Sequence, residues 1–270
     1  MGRKIYFLCI LAIISFWITP FKTLAKDLST VIPVNLPEKA GIYVVPGRPE
    51  LKLRVFVHHA KGGKPGKPQP TPTPTPTTVC TLEDPQSDAL SGVEYWYLPN
   101  FVNYYLNVAS VPSSVGSQNL YNIASDSFRE WTGAIENSVT LNMAGETPLS
   151  VARLDGHNII TWGRARSGTL GVTYIWYYST GLVAEVDTIM NKKYPWSWSN
   201  PDTWDNLICA YPDSYDAQNI LTHELGHWFG VDDDYDSYHK HNTMYGYGSV
   251  METKKNTLTN GDISAVKSKY

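Results

Sequence analysis

The stretch His223-Glu224-Leu225-Gly226-His227-Trp228-Phe229-Gly230-Val231-Asp232-Asp233 has the form His-Glu-x-x-His-x-x-Gly-x-x-Asp and decides how the rest of the chain is read. Residues four apart share one face of a helix, so the imidazoles of His223 and His227 can hold one metal ion between them. Glu224 is turned from that pair by about 100°, which puts its carboxylate beside a metal rather than on it. A general base belongs there. Gly230 tolerates the left-handed backbone that ends helices, so the chain can turn and bring a later residue back to the metal. Asp233 stands six residues after His227. Zinc accepts carboxylate oxygen as well as imidazole nitrogen, and catalytic sites use three protein ligands with the fourth position open to water. Asp232, Asp233 and Asp234 are consecutive, and Asp236, His239 and His241 follow closely, so a register slip could recruit another ligand in place of Asp233. The remaining aspartates of this loop read either as a solvated acidic turn or as a calcium-binding one, since Ca2+ takes several oxygen ligands.

Outward from this helix the chain divides by composition. Arg3 and Lys4 precede an apolar run over residues 5–18, and Thr23-Leu24-Ala25 offers the small residues at which signal peptides are cut. Residues 1–25 therefore read as a signal peptide and the protein as secreted, with association at the cell surface a further option. The apolar run is short for a bilayer span and no later segment reaches the length of about 20 residues that one needs, so no stable membrane insertion is expected. Residues 61–78 end in alternating Pro and Thr, from Pro70 to Pro76, a polyproline II spacer rather than a core. Residues 26–60, before this linker, are too few for an independent core; they read as a pro-segment or small strand-adding module, with strand patterns at 41–45 and 51–57. His58 and His59, at its end, could touch a metal, but two neighbours in a strand point to opposite faces, and the pair is read as solvent-exposed. The folded unit is expected at 79–270.

Within that unit, Leu120, Ile123, Ala124, Phe128, Trp131 and Ile135 recur at helical spacing, a stripe that packs on a sheet. Strands are expected at 104–108, 139–143, 158–162, 171–178 and 182–191. The histidine helix is expected to start near Asp216, whose side chain can cap its first turn, and Gly226 in its middle implies close packing. Without residues 1–25 the chain carries 19 basic and 25 acidic residues (22 less Arg3, Lys4 and Lys22, against 25), a net charge of −6 with no basic patch, which argues against a nucleic-acid partner. Cys9 falls in the signal segment, leaving Cys80 and Cys209; two thiols in an oxidising compartment suggest a disulfide, closing a loop of about 130 residues worth roughly 4 to 5 kcal/mol on chain-entropy reasoning.

The motif as a whole resembles the metzincin zinc metallopeptidases, in the bacterial secreted, matrixin-like and snapalysin-like form that has aspartate as third zinc ligand. Asn242-Thr243-Met244-Tyr245-Gly246 resembles the clan's Met-turn, which places Met244 beneath the metal as a support, and residues 258–270 resemble the C-terminal helix of the matrixin branch. The resemblance implies an α+β fold: a twisted mixed sheet with a backing helix and the zinc helix, above an irregular lower half closed by a final helix. It implies a monomeric zinc endopeptidase acting on protein or peptide substrates, with His223, His227 and Asp233 on Zn2+ and Glu224 as general base. It also implies that the strand at 182–191 lines the cleft and pairs with an extended substrate. A latency role for Cys80 is a rival to the disulfide, but Val79-Cys80-Thr81 does not match the propeptide motif of animal matrixins. The alternative from another class is a non-catalytic secreted binding or adhesion protein with a structural zinc site. Glu224 argues against it, because a structural site needs no base and is closed by four ligands.

Overall fold

The structure is a computed structural model and describes residues 36–61, 79–81, 84–200 and 208–270. The expected signal peptide and nearly all of the Pro/Thr-rich linker lie outside the described residues. In chain order the strands are β1 (Gly41–Val44), β2 (Leu51–Ala60), β3 (Val79–Thr81), β4 (Phe101–Leu106), β5 (Thr140–Glu146), β6 (Asn158–Gly163), β7 (Thr169–Tyr178), β8 (Val183–Asn191), β9 (Trp196–Ser197), β10 (Ile208–Ala210), β11 (Tyr215–Asp216) and β12 (Tyr247–Gly248). The helices are α1 (Asn119–Ala134), α2 (Ala217–Trp228) and α3 (Asn260–Lys267).

Seven strands form one mixed sheet in the order β1-β2-β7-β8-β6-β4-β5, with β12 pairing to β2. The links β5-β4-β6-β8 are parallel, and β8-β7, β7-β2 and β2-β1 are antiparallel. Both faces are covered. On one side Leu106, Ile160, Ile175 and Val186 of the sheet pack with Leu120, Ile123, Phe128 and Trp131 of α1 and Ile220, Leu221 and Trp228 of α2. On the other, Ile159, Val172, Tyr174 and Trp176 pack with Leu53, Val55 and Val57 under Leu149, Ala152 and Leu154. A strand buried on both faces reads as a continuous apolar run, and β7, Thr-Leu-Gly-Val-Thr-Tyr-Ile-Trp-Tyr-Tyr, is such a run.

The segment before the linker is not set apart from this sheet. Strand β2 runs the length of β7, from Leu51 opposite Tyr178 to His59 opposite Thr169, and its far end meets β12 in parallel, His59 opposite Tyr247. The period of two sends Leu53, Val55 and Val57 to one core and Phe56 and Ala60 to the other. Two expectations are corrected here. His58 is fully buried rather than solvent-exposed, because its even register faces it toward α2. Strand β8 cannot line an open cleft, because β6 and β7 take both of its edges; the strand on that side of the domain is β7, whose outer edge β2 occupies.

Helix α2 begins where Asp216 accepts a hydrogen bond from the Asn219 N–H (2.9 Å), the cap its sequence suggests. Its mid-helix glycine has a packing cause: a Cβ at Gly226 would lie 2.6 Å from Trp131 Cζ2 and on the Met244 sulfur. The α1–α2 contact is further fixed by the Trp131 indole N–H, which donates to the Thr222 carbonyl (2.8 Å). Cys80 and Cys209 form a disulfide between the paired strands β3 and β10, ahead of α2. Among the described residues no helix is long and apolar enough to cross a membrane.

Candidate metal centre

His223 and His227 lie on one face of α2 with ring centroids 5.0 Å apart, and both are fully buried. Each ring is oriented by its Nδ1, which donates to a backbone carbonyl: Thr243 for His223 (2.7 Å) and Val231 for His227 (2.8 Å). This fixes the tautomer, so both Nε2 atoms turn their lone pairs to the same point. Gly230, at φ +80°, reverses the chain after the helix. The turn brings Asp233 Oδ1 to 3.1 Å from His223 Nε2 and 3.6 Å from His227 Nε2. Its two neighbours are engaged elsewhere: Asp232 pairs with the Arg54 guanidinium (3.2 Å) and Asp234 accepts from the Gly92 N–H (3.4 Å). Of the three consecutive aspartates, then, it is Asp233 that converges on the histidines.

His223 Nε2, His227 Nε2 and Asp233 Oδ1 are buried and make no hydrogen bond. Such atoms cost about 1 to 3 kcal/mol each unless something else satisfies them. Two imidazole nitrogens and one carboxylate oxygen are a donor set that suits zinc, and the group can hold a metal ion. Burial holds both imidazoles neutral, His223 well below its ordinary range and His227 down to about 3, so they are ready to ligate without losing a proton.

Glu224 lies beside this group on the sheet side. Its Oε2 accepts from the Thr173 hydroxyl of β7 (2.5 Å), and that hydroxyl is within hydrogen-bonding distance of Thr188 (2.9 Å), which accepts from the Trp228 indole N–H (2.9 Å). Its Oε1 is left without a partner. Burial pushes its carboxyl up to about 8, in the range where a base can take a proton and return it. Gly171 on β7 makes room for this carboxylate, since a Cβ there would fall on Oε1.

Met244 is fully buried, with its sulfur packed against Gly226. Its turn is held from α3: Asp262 accepts from the Thr243 N–H (2.8 Å), the Met244 N–H (3.3 Å) and the Ser91 hydroxyl (2.8 Å). The Thr243 carbonyl that orients His223 is thus set by a residue 19 positions later.

Three contributors were not singled out as site residues from the sequence. Phe56 stacks flat on the His227 ring, centroids 3.7 Å apart and planes 7° apart. His58 packs on the His223 ring at 3.8 Å, with its Nδ1 3.7 Å from Glu224 Oε1. Lys255, also fully buried, sets its Nζ 3.1 Å from His58 Nε2 and donates to the carbonyls of Tyr245 and Tyr247. The alternating pattern of 51–57 was the available signal for Phe56 and His58, but it does not say which strand lies opposite. Asp236 and His239 pair with each other (2.9 Å) away from the centre. No family model matches the chain, and no curated protein is similar to it.

Proposed function

We propose that the chain is a secreted zinc-dependent endopeptidase of the metzincin type, with His223, His227 and Asp233 as metal ligands and Glu224 as general base. The observation that carries this reading is Glu224: a buried carboxylate with one oxygen fixed by Thr173 and the other free, next to three converging unpaired donors. Zinc held there would supply Lewis acidity, lowering the pKa of a water and polarising a peptide carbonyl. Glu224 takes the proton from the attacking water through its unpartnered Oε1 and hands it to the departing amine. The Thr243 and Val231 carbonyls keep the histidine rings in place throughout. Among the described residues, the acidic side chains of Asp232, Asp234 and Asp236 after Gly230 are engaged with Arg54, Gly92 and His239. Strand β7 is the element against which an extended substrate would add, backbone to backbone, once its outer edge is free.

One observation favours the second reading, a non-catalytic binding protein with a structural zinc site: His223, Glu224 and His227 are all fully buried. The two are separated by incubating the full chain, and residues 79–270 checked for folding by circular dichroism, with a mixture of unfolded proteins. New termini are read by mass spectrometry beside chelated and Glu224→Gln samples. Cleavage that vanishes in both controls is expected, with zinc content unchanged in Glu224→Gln. Folded, zinc-loaded protein that cleaves nothing in either form would shift the assignment to the structural site.

A further inference from the structure

A carboxylate differs from an imidazole as a ligand in having a second oxygen, and that oxygen needs a partner of its own. Asp233 turns Oδ1 toward His223 and His227, and its Oδ2 accepts a hydrogen bond from the Tyr235 hydroxyl (3.0 Å). The contact follows from the local backbone. The Asp234 N–H donates to the Met244 carbonyl (2.9 Å) and the Gly246 N–H donates to the Asp234 carbonyl (2.8 Å), a parallel β-bridge between Asp234 and Tyr245. Such a bridge is made by extended backbone, in which side chains two apart share a face, so Tyr235 follows Asp233 on the same side.

The Tyr235 ring has a seat. Gly246 leaves room for it, since a Cβ there would fall on the ring carbon Cε1, and Tyr247 meets the ring edge-on with centroids 5.5 Å apart and planes at 79°. Asp233 is also held from its other end, where its N–H donates to Asp232 Oδ1 (2.9 Å) and Asp232 pairs with Arg54. Backbone and carboxylate are thus both tied, and only Oδ1 is left unpartnered.

We propose that Tyr235 is a positioning residue of the metal centre: by holding Oδ2 it leaves Asp233 a single oxygen, Oδ1, to give to the metal. This rests on the zinc reading above and deepens it. A carboxylate that binds through both oxygens fills two coordination positions instead of one. The position it would take is the one that a catalytic centre keeps open for water. Tyr235 reserves that position without being a ligand itself.

The test uses the full chain loaded with Co2+, whose d–d absorption weakens as a four-coordinate site gains a ligand, whereas zinc has no such bands. Tyr235→Phe removes one oxygen from a side chain that is 44 % exposed, so the fold is retained. Its d–d bands are expected to be weaker than those of the wild type, as Asp233 swings to bind through both oxygens. A chelator competition is expected to show zinc held about tenfold more weakly, the loss that follows when a ligand's outer partner is removed. Tyr247→Phe keeps the hydroxyl on Asp233 and is expected to match the wild type in both measurements. Unchanged bands or an unchanged affinity in Tyr235→Phe would overturn the proposal and leave the three-ligand centre standing. So would a Tyr247→Phe variant that reproduces the effect, which would then belong to the aromatic cluster. A wild-type chain that takes up neither metal would overturn the centre itself and this proposal with it. Should Tyr235→Phe fail to fold, zinc-edge X-ray absorption on the wild type decides: one carboxylate oxygen supports the proposal and two overturn it.

Discussion

Strands β5 and β7 would be the two edges of the sheet if it began at residue 84, and they are unlike each other. Strand β5 alternates exposed and half-buried residues, as a true edge does, and its outer side is left unpaired. Strand β7 is buried along nine of its ten residues and carries Thr173 and Gly171 against the Glu224 carboxylate. The difference teaches that β7 is built to have a neighbour on each side. Its outer neighbour here is β2, a piece of the same chain from beyond a proline-rich spacer. The edge nearest the buried donors of His223, His227 and Asp233 is the one the molecule keeps covered.

The largest test of that contrast removes one side chain from each side. Phe56 lies between His227 and Trp96 and belongs to the main core, so Phe56→Ala is expected to cost about 3 to 5 kcal/mol. Leu141→Ala on β5, where the residue is only half-buried, is expected to cost about 1 kcal/mol. Urea denaturation of the two variants measures both, and equal losses would mean that β2 is an incidental cover.

A second test places a methyl group where β7 meets the base. Gly171→Ala is expected to lower peptidase activity by roughly a hundredfold, about 2.7 kcal/mol, through displacement of Glu224, with zinc affinity little changed. Undiminished activity in that variant would detach β7 from the chemistry.

The smallest effect is one of pH. Behind β7, Glu185 and Asp187 on β8 are buried acids, both raised above their ordinary range, first by burial. Glu185 accepts from the Asp155 and Gly156 N–H groups (2.9 and 2.6 Å). A carboxyl whose folded pKa exceeds its unfolded value binds more protons folded, so stability falls as pH climbs from about 4, the unfolded range, toward about 8, where Glu185 titrates. Thermal melts between pH 5 and 8 are expected to show that decline, shallower in Glu185→Gln. A slope unaltered by Glu185→Gln would remove this residue as its cause.

Much of this fold could be read from local sequence. The stripe Leu120, Ile123, Ala124, Phe128 and Trp131 gives α1, the apolar runs give β6, β7 and β8, and Asp216 marks the start of α2. The spacing from His223 to Asp233 likewise brings the donors together, because one helical turn and one glycine reversal are local events. What could not be read was non-local. Nothing in Leu51–Ala60 names Thr169–Tyr178 as its partner more than a hundred residues on, so His58 passed for a surface residue. Lys255 could not be singled out for a related reason: an ammonium is seldom buried unless carbonyls come to meet it, and those of Tyr245 and Tyr247 do so only in the folded chain.

The hold of Asp262 on the Thr243-Met244 backbone also has a meaning in time. Until residue 262 has been synthesised, the turn that carries the carbonyl orienting the His223 ring lacks its hold on the Thr243 and Met244 N–H groups. A nascent chain that already displays both histidines still lacks a finished pocket for them. A polypeptide stalled or clipped before α3 would present the two histidines without the buried carboxylate that ties their supporting turn to the end of the chain.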